Sequence, residues 1–266
     1  MLLLHGGPGA HHDYLLPQLL EIGNLAGGRD LLLYDQRGGG RSRTDARDPI
    51  TWQTQVADAA AVMREFGLNR PLVMGYSWGG LLAMLYAAQA ARDPALPQPS
   101  ALVLIDPAAI SREYRSQFED EFARRQAAAD VTRMRQELAA SNLRERDADA
   151  YRQRNFELSV AGYFADPASA KDLTPFRVSA RVQQSVWDSL GDFDLVRDGT
   201  LASITVPTLI VHGRQDPIPL ASSEAAAQAM GAHASLKVIE ECGHVPYVEQ
   251  PEALFSTIDA FLRELS

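Results

Sequence analysis

The stretch Leu72-Val73-Met74-Gly75-Tyr76-Ser77-Trp78-Gly79-Gly80-Leu81-Leu82 sets a G-x-S-x-G pattern between an unbroken apolar run and a helical repeat. An apolar run without polar alternation reads as a strand buried on both faces, and Leu81, Leu82, Leu85 and Ala88 recur at helical spacing. A serine on so sharp a strand-to-helix turn sits in strained backbone and projects its hydroxyl beyond the sheet. Glycine is needed at 75 and 79, where a Cβ would crowd neighbouring backbone. The helix that follows aims its positive end at any oxyanion formed beside Ser77.

The same alternation extends in both directions. Short apolar runs at residues 2–4, 31–34, 102–105, 208–211 and 236–239 read as further buried strands. Between them, Val56, Ala60, Met63 and Phe66 share a helical face that stops at Gly67, and Leu254, Phe255, Ile258 and Leu262 mark a closing helix. Strand and helix in alternation predict βαβ units and a doubly wound, mostly parallel sheet.

The rhythm breaks between Pro107 and Gly199, where Arg, Glu, Asp and Gln are abundant and no strand pattern occurs. Tyr114, Phe118 and Phe122 are four apart, and Val131, Met134 and Leu138 share one helical face. The expected organisation is a core of residues 1–106 and 200–266 interrupted by a helical cap at 107–199. An insertion at the carboxyl end of a strand lies over the crevice where open α/β sheets bind ligands, so it is a candidate lid.

The candidate chemistry lies on the turns that follow the strands. Ser77 is the expected nucleophile. His244, in Glu241-Cys242-Gly243-His244-Val245-Pro246 after the last strand, is the expected general base. Two acids compete to orient it. Asp216 follows the strand at 208–211, gives the chain order Ser, Asp, His, and is the preferred one. Asp106 ends the strand at 102–105 but precedes a proline and opens the insertion, so it reads as a turn starter. His5-Gly6-Gly7-Pro8-Gly9 supplies a small-residue loop in which the Gly7 N–H, paired with that of Trp78, is the expected oxyanion donor, with Gly6 as a substitute. His5 reads as a structural hydrogen-bonder and Cys242 as a buried small hydrophobe. His11, His12 and His233 lack metal-ligand spacing, and neither a metal nor a cofactor is expected.

Glu157 stands in Phe156-Glu157-Leu158-Ser159-Val160-Ala161-Gly162-Tyr163-Phe164, an apolar stretch expected to face the pocket. A carboxylate there needs a partner, either a substrate ammonium or a cap arginine such as Arg152 or Arg154.

Bulk composition narrows the partners. The 266 residues carry a formal net charge of −9, with 46% hydrophobic and 22% charged residues. That charge argues against a nucleic-acid partner and against anionic membranes. No apolar run approaches membrane-spanning length. One cysteine cannot form an internal disulfide, and with no signal peptide visible a reducing, cytoplasmic location is expected.

Taken together, His5–Gly9, Asp35-Gln36-Arg37-Gly38-Gly39-Gly40-Arg41-Ser42, Ser77-Trp78-Gly79-Gly80 and Gly243-His244 resemble the signature of proline iminopeptidases and their relatives in the α/β-hydrolase superfamily. The resemblance implies an α/β-hydrolase fold with Ser77, Asp216 and His244 as the triad and a cap that forms the substrate pocket. It also implies a small-molecule or short-peptide substrate, cleaved through an acyl-enzyme by an aminopeptidase, with cap glutamates binding the free amino terminus. The sequence carries no match to the tryptophan–glutamate cap motif of better-known members. The alternatives are a carboxylesterase or amidase without amine recognition and, from a different class, a ligand-binding protein of this fold that has lost turnover. The family normally has two strands before the one ending at His5. Here Met1 stands nearly inside that strand, so missing N-terminal strands, or a shortened variant of the fold, are expected.

Overall fold

In a computed structural model, which describes residues 1–45 and 47–265, six strands form one parallel sheet: β1 (Leu2–Leu4), β2 (Leu32–Leu33), β3 (Leu72–Tyr76), β4 (Ala101–Ile105), β5 (Thr208–Gly213) and β6 (Ala234–Ile239). Their spatial order is β2-β1-β3-β4-β5-β6. The order reverses between β1 and β3, which pair as Leu2↔Val73, Leu3↔Met74 and Leu4↔Gly75. Such a reversal opens a crevice at the carboxyl ends of the two strands, because their following segments leave towards opposite sides. The His5–Gly9 loop and the Ser77 turn are those two segments.

The central strands are buried along their whole length because helices cover both faces. Leu2, Leu4, Val73, Leu102, Leu104 and Ile210 face one core. There they meet α1 (Trp52–Glu65), α2 (Trp78–Arg92) and α7 (Leu220–Met230) through residues such as Ala59, Met63, Leu81 and Ala226. Leu3, Met74, Val103, Ile105, Leu209 and Val211 face the other core. It is closed by Tyr14, Leu15, Leu19 and Ile22 and by Leu254, Ile258 and Leu262 of α8 (Pro251–Glu264).

Three expectations need correction, the first being the run at 31–34, which forms only the two-residue edge strand β2 with half-buried side chains. Phe66 lies just past the end of α1 and is 62% exposed, while Gly67 adopts φ +65° and Leu68 N–H bonds to the Met63 carbonyl. Phe66 is the C-cap residue, and Gly67 in the left-handed conformation turns the chain away directly after it, which leaves the Phe66 side chain in solvent. β6 starts at Ala234 and alternates exposed Ser235 and Lys237 with half-buried Leu236 and Val238, rather than being buried throughout. It is an edge strand, paired only with β5, and a side chain on its open face keeps water.

Between β4 and β5 the described residues form helices and turns, with a single isolated bridge between Ser111 and Asp194. The helices used below are α3 (Arg112–Gln126), α4 (Ala129–Ala140), α5 (Ala148–Val160) and α6 (Ala180–Leu190). Ser111 caps α3 by accepting from Tyr114 N–H, and Asp147 caps α5 by accepting from Asp149 and Ala150 N–H. Gly9 O accepts from Ser179 N–H, and Tyr163 O accepts from His244 N–H, so the segment is tied to the core at both rims of the crevice.

Candidate active site

Ser77 occupies φ +55°, ψ −118° as the N-cap residue of α2. The strained turn is held from all sides: Ser77 N–H donates to Ile105 O, and Ser77 O accepts from Gly80, Leu81 and Ala108 N–H. A Cβ on Gly75 would lie 2.1 Å from Gly79 O, and one on Gly79 would lie 2.0 Å from Leu4 O. No side chain fits at either place without moving backbone.

His244 Nε2 lies 2.9 Å from Ser77 Oγ, and His244 Nδ1 lies 2.8 Å from Asp216 Oδ2. With the carboxylate on Nδ1, that nitrogen carries the proton and Nε2 is left to accept from the serine hydroxyl. Asp216 Oδ1 also accepts from Ile218 N–H at 2.8 Å. The imidazole is sandwiched by Tyr163 and Tyr76, at ring-centroid distances of 5.1 and 5.3 Å. Burial lowers the His244 pKa to about 4 against the upward pulls of Asp106 and Glu249, so the free ring is neutral.

Asp106 does not reach His244 Nδ1. Its Oδ1 accepts from Gly213 N–H at 2.7 Å, which pins the start of the Asp216 turn. Its Oδ2 is buried with no donor facing it. Burial, and then the neighbouring Asp216 charge, push the Asp106 pKa far up, which fits a neutral carboxyl whose proton is directed at Asp216. His212 completes this buried cluster at 4.0 Å from Asp106 and 3.9 Å from Asp216. The three offer ligand atoms within 4.8 Å of one another. Both His212 nitrogens are engaged, however, Nε2 with Ile218 O and Nδ1 with Ser223 Oγ.

The glycine loop runs beside the serine. Gly6 N–H donates to Tyr14 Oη at 3.1 Å and is therefore occupied. Among the described residues neither the Gly7 N–H nor the Trp78 N–H has an acceptor. The Trp78 indole N–H donates to Gln36 Oε1 at 2.8 Å, while Gln36 Nε2 donates to His5 O and Gln36 N–H to His5 Nε2. One glutamine thus locks the serine turn to the glycine loop. Beside it, Asp35 accepts from His12 and Arg41 N–H, and Arg37 forms a two-pronged pair with Asp58. Burial alone would raise the Asp35 pKa, but those donors outweigh it and hold the carboxyl down at about 2.

Two cavities meet at Ser77 and share Gly7, Tyr163, Gln183 and His244. The larger, about 310 Å³, is lined by apolar and aromatic groups including Phe156, Val160, Leu173 and Phe176. The smaller, about 80 Å³, is lined also by Trp78, Ala108, Arg115, Trp187 and Ile218. Glu157 is not part of either wall. It is 8% exposed and its carboxylate is taken by Arg154 at 2.7 Å and Gln153 at 3.1 Å. Phe156, Val160 and Tyr163 make the pocket-facing stripe of α5 and its extension, and Glu157 lies one residue, about 100° of turn, away from it. The expected pocket-facing carboxylate is therefore an internal ion pair, and no Asp or Glu among the described residues lines either cavity.

The sequence reading missed the groups that hold the histidine in place. Glu249 accepts from Gly243 N–H at 2.8 Å and Ala165 N–H at 2.7 Å, clamping the His244 loop to the segment between β4 and β5. Tyr76 Oη donates to His244 O at 3.0 Å. Their partners are backbone groups that carry no residue-type signature. Cys242 is buried, as a small hydrophobe would be, and burial raises its thiol pKa.

The sequence profile of the alpha/beta hydrolase family matches residues 1–257. The chain belongs to this family. The α/β hydrolase resembles the proline iminopeptidase of Levilactobacillus brevis at 42% identity over 88 residues, which is 32% of this chain but only 28% of that relative's length. Against the proline iminopeptidase of Lactiplantibacillus plantarum the identity is 26% over 277 residues, covering 98% of this chain and 91% of the relative. The crystal structure of a proline iminopeptidase from Mycobacterium smegmatis superposes with a TM-score of 0.67 at 21% identity, covering 99% of this hydrolase and 89% of that chain. At that identity the likeness concerns the fold. No helix among the described residues is long and apolar enough to cross a membrane.

Proposed function

We propose that this hydrolase cleaves an ester or amide through an acyl-enzyme on Ser77. The observation that carries this reading is the unbroken chain from Asp216 through His244 to Ser77, at 2.8 and 2.9 Å. In it His244 takes the serine proton as Oγ attacks the carbonyl carbon, and Asp216 fixes the tautomer and stabilises the imidazolium. The tetrahedral oxyanion forms against the Gly7 and Trp78 N–H groups, the two free donors beside Ser77. His244 then returns the proton to the leaving group, and water repeats the sequence on the acyl-serine.

The cavity walls favour a carboxylesterase or amidase that does not read an amine. An aminopeptidase needs a partly desolvated carboxylate near the scissile bond, and here Glu157 is already paired. The aminopeptidase reading keeps the support of the Lactiplantibacillus plantarum proline iminopeptidase, which matches over nearly the full chain at 26% identity. Turnover of a panel of aminoacyl-naphthylamides and p-nitrophenyl esters separates the two. The esterase reading predicts ester hydrolysis with no gain from a free amine. A strong preference for free-amine substrates would restore the peptidase reading. Ser77→Ala is expected to cost several orders of magnitude in kcat on any substrate found, and turnover near wild type would overturn the acyl-enzyme reading.

A further inference from the structure

The smaller cavity holds one group that the larger lacks. Arg115, on the first cap helix α3, is the only permanently charged side chain lining either cavity among the described residues. Its side chain is 20% exposed. Its guanidinium carbon lies over the Trp187 ring, 3.6 Å from the centroid. The one charge that meets it is Glu119 at 2.7 Å, one helical turn on, a side chain 55% exposed that lies outside the cavity wall. No other ion pair or hydrogen bond of the guanidinium is formed among the described residues.

We propose that the smaller cavity is a subsite for a substrate carboxylate bound by Arg115. The substrate would then carry an apolar group on one side of the scissile bond and a short acidic arm on the other. The proposal rests on the acyl-serine reading and adds a substrate class to it. Three physical points carry it. A guanidinium presents five N–H donors in a planar fork that fits a carboxylate two-pronged, and here most of them have no protein partner. The close contact with the Trp187 ring restrains the guanidinium, so less rotamer freedom is lost when an anion binds. The two cavities share the reacting groups Ser77 and His244 but differ in character, one apolar and one with a cation and no carboxylate, which divides a substrate at the bond to be cut. Burial lowers the Arg115 pKa and Glu119 only partly restores it, the mark of a charge poorly solvated by its surroundings.

Two matched pairs of esters test this. The first places the acid on the acyl side: the 4-nitrophenyl esters of hydrogen succinate and of pentanoate. The second places it on the leaving side: the butyrate esters of glycolate and of glycolamide. The readout is the ratio of kcat/KM, acid over neutral, within each pair. The wild type is expected to favour the acid member of at least one pair, and Arg115→Met to lower that ratio tenfold or more, the scale of losing a charge-assisted hydrogen bond. Should Arg115→Met fail to fold, Glu119→Gln keeps the arginine and removes its competitor, so the ratio is expected to rise. Absence of acid preference in the wild type, or an unchanged ratio in the readable variant, overturns the proposal. Ser77→Ala run on the same esters reports separately on the acyl-serine reading, because retained turnover there contradicts that reading whatever the ratio does.

Discussion

Ser77 is one of four non-glycine residues with positive φ among the described residues, and Asp106 is another. Both sit at the carboxyl ends of adjacent strands, where turn strain is held by hydrogen bonds to the sheet. Their chemistry diverges through their partners. Asp216 receives the His244 Nδ1–H and the Ile218 N–H, donors that favour the carboxylate against a burial that pushes its pKa up to about 7. Asp106 Oδ2 has no donor, a setting that favours the acid. An asparagine mimics a neutral carboxyl but not a carboxylate. Asp106→Asn is therefore expected to keep kcat within about tenfold, whereas Asp216→Asn presents the wrong hydrogen-bond partner to His244 and is expected to cost on the order of 10³ to 10⁴. Steady-state kinetics of the two variants decide it, and the reverse order would move the orienting role to Asp106. At this scale the sequence was legible where a residue type coincides with a strand end. Ser77, Asp216 and His244 each stand just after an apolar run, and the structure brings them together. Glu157 shows the limit, because an apolar surrounding says that a carboxylate is buried but not which way it points. The arginine three residues before it was already its partner.

At the scale of elements, the glycine loop, the Asp35–Ser42 turn and the serine turn act as one unit joined by Gln36 and Asp35. The signature containing Asp35 and Gln36 is visible in the sequence, but its mechanical role is not, since its oxygens accept from the backbone N–H groups of His12 and Arg41 and the indole N–H of Trp78. Asp35 is 4% exposed at its side chain and its pKa is depressed from 3.8 to about 2. A depressed carboxylate contributes stability that is full above the unfolded value and is lost as pH falls through the folded one. The contribution at neutral pH is on the order of 2 kcal/mol. Urea unfolding of Asp35→Asn is thus expected to show a deficit of that size at pH 7 that narrows by about half at pH 3. A deficit independent of pH would mean that the asparagine acts through packing rather than charge. The strand boundaries illustrate the same limit. β6 was recognisable by its apolar residues, but its edge position depends on which strands pair, and no local pattern carries that.

Across the whole molecule, the division into two cores follows from period-2 alternation along buried strands, with Leu2 and Leu4 facing one side and Leu3 the other. That much is dictated by the unbroken apolar runs Leu2–Leu4, Leu102–Ile105 and Leu209–Val211. The direction in which the chain crosses over is not, yet it is the reversal between β1 and β3 that brings the His5–Gly9 loop against Ser77. The segment between β4 and β5 adds the walls of both cavities, and its aromatic groups reach the centre through Tyr163, stacked on His244. A reactive serine beside a neutral histidine, an orienting carboxylate and two free N–H donors should form a covalent phosphonyl adduct with a fluorophosphonate. Intact-mass measurement followed by peptide mapping is the most direct test: one adduct per chain, located on Ser77 and absent from Ser77→Ala, is the expected result. An unlabelled wild-type chain, or an adduct that persists in Ser77→Ala, would contradict the assignment of Ser77 as nucleophile.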